Sequence, residues 1–145
     1  MAGEKLTAPG SPCAAAQTLF TSATIAATTS GSSFTGVERY TTAVFMLKVG
    51  TVSGTSSTVD AYIQTLLPDG TTWQDIAHFT QVTSSTSNQI VHFVTGAASV
   101  AAVQTAALAA ATIKAISIGH TIRAHVVIGG TNPSAVVAVY ATFLE

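Results

Sequence analysis

The side chains that could do chemistry in this 145-residue chain are few and scattered. Four histidines occur, His78, His92, His120 and His125. On a continuous strand His120 and His125 point to opposite faces, because ligands on one face need an even spacing. His78 and His92 could approach each other on adjacent strands, but no cysteine or carboxylate cluster accompanies them. We therefore expect no metal site and no cofactor.

The carboxylates do not form a recognisable catalytic set either. Asp60 and Asp75 would resemble a glycosidase pair only if they faced each other across a hairpin, where we expect them at different heights. The chain has no Gly-x-Ser-x-Gly elbow and no phosphate-binding loop with Lys-Ser/Thr. Cys13, the single cysteine, has no base near it in sequence. We predict that the protein is not an enzyme.

The composition is low in charge. Only 8% of the residues are Asp, Glu, Lys or Arg, the net charge is −1 and 48% of the residues are apolar, whereas about 25% charged residues is typical. A surface coated with Ser and Thr hydroxyls would explain this, and so would a surface covered by neighbouring subunits, because interface cores are depleted in charge. The two explanations are compatible, and we favour an oligomer.

The basic residues exclude two classes of partner. The five cations are spread along the chain and form no cluster that could bind a nucleic-acid backbone or an anionic membrane surface: Lys5, Arg39, Lys48, Lys114 and Arg123. The N-terminus has no apolar signal region, and one cysteine allows no internal disulfide. We expect synthesis in the cytoplasm.

The pattern along the chain predicts a flexible N-terminal arm, residues 1–16, and one β-domain, residues 17–145. Seven or eight short strands are separated by Ser/Thr/Gly/Pro loops, which is typical of an antiparallel β-sandwich or jelly roll. The predicted strands are Gln17–Ile25, Tyr40–Val49, Thr58–Leu66, Thr72–Thr80, Ile90–Thr95, Thr121–Ile128 and Ala135–Leu144.

The strand Thr58–Leu66 is central to this pattern. Val59, Ala61 and Ile63 alternate with Asp60, Tyr62 and Gln64, which predicts a core face and an outward face. The Leu67-Pro68-Asp69-Gly70 sequence suits a tight reversal.

Two Gly/Ser/Thr segments, Gly50–Ser57 and Gly129–Ser134, are predicted to turn the chain. Each lies between two strands, and the similarity of the two units suggests either sheets that face each other with pseudo-symmetry or convergence on common turn chemistry.

An Ala-rich run follows the strand Ile90–Thr95. Alanine has the highest helix propensity, so we predict a short helical excursion near residues 97–115. The run contains Ser99, Gln104, Thr105 and Lys114, so we do not predict a transmembrane helix.

Aromatic side chains leave one binding function open. Tyr62, Trp73 and Tyr140 could form a platform on which sugars stack, with Tyr62 as the most exposed ring. The alternative, which we favour, is that these rings are core or interface residues.

Several segments together resemble a known family. The stretches SGTSSTVDAYIQT, LPDGTTWQDIAHFTQV, AALAAATI and IGGTNPSAVVAVYATF are similar to small head decoration, or cement, proteins of tailed bacteriophages. The resemblance spans Val44 to Phe143 and implies a β-sandwich or jelly-roll core.

The resemblance also implies a function and partners. Such a protein binds the outer shell formed by the major capsid protein, often as a trimer, and stabilises it through contacts that bridge subunits. We expect the arm and first strand to contribute Lys5, Leu6, Leu19 and Phe20 to the interface, and the outward face to contribute Asp60, Tyr62 and Gln64. A tail or neck adaptor and a carbohydrate-binding module are the alternatives.

Overall fold

The computed structural model describes residues 16–84, 86–95, 108–114, 116 and 118–144, which form an all-β, antiparallel structure. The predicted all-β antiparallel class is confirmed, and no helix occurs in the described residues. The eight strands are β1 (Gln17–Ile25), β2 (Thr29–Ser30), β3 (Phe34–Thr35), β4 (Thr42–Leu66), β5 (Trp73–His78), β6 (Ser87–Val94), β7 (Thr112–Ile113) and β8 (Thr121–Leu144).

The centre of the fold is one long antiparallel ladder between β4 and β8. It runs from Thr42 opposite Leu144 to Thr65 opposite Ile122. β1, β2 and β3 pair with the other edge of β8, whereas β5 and β6 pair with the other edge of β4, and β7 pairs with β5. Every other strand is therefore attached to this pair directly or through one neighbour.

Two of the predicted turns, Gly50–Ser57 and Gly129–Ser134, are wrong. The chain does not reverse there, since β4 and β8 run through these segments while their register shifts. Positive φ angles occur at Gly54 and Ser56 in β4 and at Gly130 and Asn132 in β8. These positions lie opposite one another, so each strand bends at the same place and the pairing continues beyond the bend as a set of bulges.

The sheet bends strongly enough to bring the two ends of β8 together. Phe34 lies in β3 beside Ile122, near the start of β8, yet its ring stacks on Phe143 near the end of β8, with 5.8 Å between the ring centroids. A straight strand from residue 122 to residue 143 would span about 70 Å. The sheet therefore folds over its own inner face.

That inner face is the hydrophobic core. The predicted core face of β4 is confirmed, because Val59, Ala61 and Ile63 are fully buried. All eight strands belong to one open, hydrogen-bonded sheet, so the two separate sheets of a sandwich or jelly roll are not established. The physical reason is that β4 and β8 remain paired through the bulged corner. In a sandwich, each strand would leave one sheet there and enter the other.

The reversal at Leu67-Pro68-Asp69-Gly70 is confirmed. The amide of Gly70 donates to the carbonyl of Leu67 at 2.9 Å, and Gly70 has a φ of 73°. One carboxylate oxygen of Asp69 accepts from the amides of Thr71 and Thr72, and the other accepts from the Thr72 hydroxyl. These hydrogen bonds, that of the Thr72 hydroxyl above all, lower the pKa of Asp69 to about 2.

The helical excursion predicted near residues 97–115 is wrong where it can be compared with the structure. Thr112 and Ile113 form β7 opposite Ala77 and His78, and the amide of Lys114 donates to the carbonyl of Ile76. Pairing with β5 outweighs the helix propensity of the preceding alanines, because propensity is a weak preference that tertiary contacts override. Residues 97–107 lie outside the described residues, as does the arm before Ala16.

The bulged corner should be sensitive to a single methyl group at Gly130. A Cβ there would lie 2.7 Å from the Ser57 Cα and 2.8 Å from the Thr55 carbonyl oxygen, at a φ of +111°. We expect Gly130→Ala to lower the free energy of unfolding by about 3 kcal/mol, measured by urea denaturation.

Gly70→Ala is the matched control, since Gly70 also has a positive φ but has no atom within 4 Å of the added Cβ. Its cost should be about 1 kcal/mol. Equal losses in the two variants would contradict the tight packing of the corner.

Candidate functional site

The outer side of the first half of the β4–β8 ladder is apolar. Thr18, Tyr140, Met46 and Ile90 form one row across β1, β8, β4 and β6, as the strand registers show. The neighbouring rows place Thr142 beside Val44 and His92, and Leu144 beside Thr42 and Val94. We call this surface the apolar face and define it by Thr18, Val44, Met46, Ile90, Val94, Val136, Tyr140, Thr142 and Leu144.

Part of the apolar face is freely exposed. Ile90 is 62% exposed and Val94 is 58% exposed. A cavity of about 490 Å³ lies on this face, and a second cavity of about 360 Å³ adjoins it, with Lys48 and Tyr140 lining both. Lys48 is the one Lys, Arg, Asp or Glu side chain among the residues that line these two cavities. Such a surface favours contact with another apolar surface.

The sequence contains a signal for the apolar face. The odd positions of Tyr40–Val49 predict the core face, and Ala43, Phe45, Leu47 and Val49 are indeed buried. The even positions Val44 and Met46 are apolar as well, although a strand with one solvated face normally carries polar residues there. That excess identifies an outer face that avoids water, but the four-strand row depends on a register that the sequence does not specify.

The second half of the ladder carries a different outer surface, made of polar and aromatic side chains. Tyr62 lies between His78 on β5 and His125 on β8. The Tyr62 and His78 rings are stacked with their centroids 4.0 Å apart, and the His125 ring lies 6.3 Å from Tyr62. Nδ1 of His125 is 2.7 Å from the Ser30 hydroxyl. We call this group, with the residues hydrogen-bonded to it, the polar cluster.

His78 is held on both ring nitrogens. Nε2 lies 3.0 Å from an Asp60 carboxylate oxygen and Nδ1 lies 2.8 Å from the Leu108 carbonyl oxygen. Because both partners are acceptors, the two contacts are hydrogen bonds at the same time only when the ring carries two N–H groups. The other Asp60 oxygen accepts from the Gln81 side chain.

Asp75 is buried in the polar cluster, with only 2% of its surface exposed. One of its oxygens accepts from Nε2 of Gln64 at 2.8 Å, and the other accepts from the amide of Leu108 at 3.1 Å. A bulge between Ile63 and Gln64 brings Asp75 opposite Gln64 and so onto the same outer side as Tyr62. The Leu108 backbone is therefore held at both its N–H and its C=O by side chains of β5.

Arg123 connects this group to the tryptophan. Its Nε donates to the Gln64 side-chain oxygen at 2.8 Å, and its guanidinium carbon lies 4.1 Å from the centre of the Trp73 ring. Burial lowers the pKa of Arg123, although the charge of Asp75 opposes that shift. Burial also lowers the pKa of His125, helped by the positive charge of Arg123.

The polar cluster is internally satisfied. Among the described residues, no buried side-chain nitrogen or oxygen lacks a hydrogen-bond partner. The Ser30–His125 contact has the spacing of a nucleophile and a base, but among the described residues no carboxylate accepts a hydrogen bond from the His125 ring and so orients it. Each hydrogen bond and ring contact of the polar cluster is thus made with a neighbouring residue of the fold.

The predicted interface residues lie in three different settings. Lys5 and Leu6 lie outside the described residues. Leu19 and Phe20 are core residues, 1% and 6% exposed. Asp60, Tyr62 and Gln64 lie on the outer side of β4, but hydrogen bonds and ring stacking in the polar cluster engage all three.

The structure also shows where the other histidines and the other two aromatic candidates lie. His78 and His92 line the same cavity, of about 260 Å³. His120 forms a surface contact with Glu38 at 2.9 Å. Trp73 lies under Arg123, and Tyr140 belongs to the apolar face.

Tyr62 reports on the polar cluster through its ionisation. Burial raises the pKa of Tyr62, and the negative charges of Asp60 and Asp75 raise it further. Stability from keeping the phenol neutral is thus fully present below the unfolded pKa of about 10 and is lost as the pH rises through the folded value. We expect a late-titrating tyrosine in a near-UV absorbance titration, which Tyr62→Phe removes.

Tyr140→Phe is the control for this titration, because Tyr140 lies on the other half of the sheet. It should leave the late component in place. A late component of the same size in Tyr62→Phe and in the unmodified protein would show that burial and the two carboxylates do not act on Tyr62.

Further comparisons add no assignment. Within residues 16–84, 86–95, 108–114, 116 and 118–144, no three His, Cys, Asp or Glu side chains are grouped to hold a metal ion. The same residues include no helix long and apolar enough to cross a membrane. Comparison of the chain with protein-family models, with curated proteins and with solved structures finds no match.

Proposed function

We propose that this protein is a virion structural protein, a capsid decoration or cement protein that binds the outside of a shell and stabilises it by bridging subunits. The observation that carries the proposal is the apolar face, four strands wide, with the exposed side chains of Ile90 and Val94. Its partners would be the major capsid protein and further copies of this chain, with a trimer favoured. It would be made in the host cytoplasm and would act on the capsid exterior without a cofactor or a catalytic step.

The size of the apolar face fits a contact between proteins. Four strands about 4.8 Å apart and eight residues long cover about 500 Å². A stable, specific interface buries about 800 Å² on each partner. The face would therefore supply more than half of one such interface, and a neighbouring segment of chain would supply the rest.

The nature of the surface indicates how the contact would be made. Among the described residues, Lys48 is the single charged side chain lining the two cavities on the face, so the binding free energy would come mainly from apolar burial. Such binding depends little on ionic strength, unlike the binding of a basic protein to a polyanion.

The sequence resemblance supplies the class of partner. Its segments lie mostly in β4, β5 and β8, which are the strands that build the ladder and its corner. We propose that the two halves of the bent sheet take the place of the two layers of the β-sandwich that the resemblance implies. The shell-binding role and the sandwich-like core are therefore proposed together, because both follow from the same resemblance.

The alternatives differ in how well the surface supports them. A tail or neck adaptor would use the same apolar face against a different virion protein. A carbohydrate-binding platform receives less support, because Tyr62 stacks on His78 and the Trp73 ring lies against the Arg123 guanidinium. A sugar-binding aromatic platform needs ring faces open to solvent.

A charge placed on the apolar face should weaken shell binding. Ile90 is 62% exposed, so Ile90→Glu should change the free energy of unfolding by no more than about 0.5 kcal/mol. We expect at least a tenfold weaker affinity, about 1.4 kcal/mol, because a desolvated carboxylate would face an apolar partner. The measurement is co-sedimentation with expanded shells of a tailed-phage major capsid protein, with tail tubes as a second binding target.

The control is Thr71→Glu, which places the same charge at an exposed residue of the β4–β5 reversal that lines neither cavity of the apolar face. It should bind as the unmodified protein does. Equal binding by the two variants would rule out the face as the contact surface. Binding to tail tubes alone would favour the adaptor.

A further inference from the structure

The apolar face contains a trough that can hold a stretch of extended chain. The two cavities on this face lie side by side and share Lys48 and Tyr140. Together they follow β4 from Val44 to Gly50, and seven strand residues span about 23 Å. An extended peptide of about seven residues matches this length.

The described chain begins at the border of the same trough. Ala16 lines the larger cavity, and 15 residues precede it. Fifteen extended residues reach about 50 Å, twice the length of the trough. Their sequence, MAGEKLTAPGSPCAA, is made mostly of small and apolar residues and contains one carboxylate, Glu4.

We propose that the trough on one copy of this chain is occupied by residues 1–15 of a neighbouring copy. The proposal rests on the assembly role given above to the apolar face and names the occupant of that face. The apolar face alone is smaller than a stable interface, and the exchanged segment would supply the missing buried area. The exchange would also join two copies of the chain when no capsid is present.

The direction of β1 favours a neighbouring copy over the same copy. Gln17 pairs with Ala141, so the antiparallel β1 enters the sheet from the side of Leu144, at the end of β8. The trough runs the opposite way, from Val44 inward to Gly50. To enter the trough of its own copy, the segment before Ala16 would first have to reverse its direction. A neighbour's segment can enter the open end without reversing.

The pattern of the segment matches the pattern of the trough. Alternate residues of an extended chain point to the same side, so Glu4, Leu6 and Ala8 would all face the sheet. With the N-terminus leading, Leu6 at the level of Met46 puts Glu4 at the level of Lys48 and Ala8 at the level of Val44.

This alignment accounts for the one charge in the trough. No carboxylate forms an ion pair with Lys48 among the described residues, and Glu4 would provide one. Lys48 is exposed in the uncovered trough. A segment laid over it would remove water from its charge, and a carboxylate on that segment would offset the cost, since an unpaired charge in a desolvated site is unfavourable.

Cysteine cross-linking between two differently labelled chains tests the exchange. In a Cys13→Ala background, one chain carries Ala8→Cys and the other carries Thr142→Cys, a conservative change in the trough beside Val44. After mixing and mild oxidation we expect a reducible heterodimer, formed at least ten times faster than with Thr71→Cys. Thr71 is the control because it is exposed at the β4–β5 reversal, away from the trough.

Equal rates for Thr142→Cys and Thr71→Cys would overturn the proposal. So would a chain carrying both Ala8→Cys and Thr142→Cys that closes its disulfide only within a monomer, since the segment would then occupy its own trough.

A charge exchange provides a second measurement. Glu4→Lys should slow cross-linking by repulsion from Lys48, and the combination of Glu4→Lys with Lys48→Glu should restore the rate. Slow cross-linking in the combined variant would contradict the alignment.

These experiments use the free protein in solution. A failed exchange would leave the shell-binding result for Ile90→Glu unchanged, and a failure to bind shells would leave the cross-linking result unchanged.

Discussion

The antiparallel pairing of β4 with β8 is the constraint on which the other features depend. These two strands carry the core residues on one side and both outer surfaces on the other. Each remaining strand is added to an edge of this pair or to β5. Because most of its contacts join residues far apart in sequence, the ladder must form before the outer surfaces exist, and long-range pairing of this kind is typically slow to form.

The bulged corner divides the ladder into two halves with different outer surfaces. Had the chain reversed at Gly54 and Gly130, each half would have closed as a local hairpin with its own outer face. Because the strands bend and continue, one half of the ladder presents the apolar face and the other presents the polar cluster. The polar cluster satisfies its own hydrogen bonds, whereas apolar side chains such as Ile90 remain exposed. This difference is why the proposed contact surface is the apolar face and not the polar cluster.

The sequence predicts the features that depend on neighbouring residues. The alternation of Val59, Ala61 and Ile63 identifies the core, and the Pro68-Asp69-Gly70 turn needs only its own side chains and backbone. The corner at Gly50–Ser57 could not be predicted in this way. Its glycine and hydroxyl residues suit a reversal and a bulge equally well, and the choice depends on β8, about 75 residues later.

The same limit applies to the surfaces. Val44 and Met46 mark an apolar outer side in the sequence, but Ile90 and Tyr140 join them only through strand register. The Asp75 carboxylate reaches Gln64 because of a bulge beside Ile63, which no local pattern indicates. Helix propensity misleads near Thr112 because β5 provides hydrogen-bonding partners that an isolated segment lacks.

The contacts of Leu108 have a consequence for how the chain can vary. The segment between Thr95 and Leu108 has both of its ends fixed, since the Thr95 amide donates to Thr41 and side chains of β5 hold both backbone groups of Leu108. The fold therefore fixes where this connection starts and ends. In general, doubling the length of a chain between two fixed ends costs only about 0.6 kcal/mol in closure entropy. Related chains could thus carry insertions here, and a foreign peptide could be displayed at this point, without a change in the ladder.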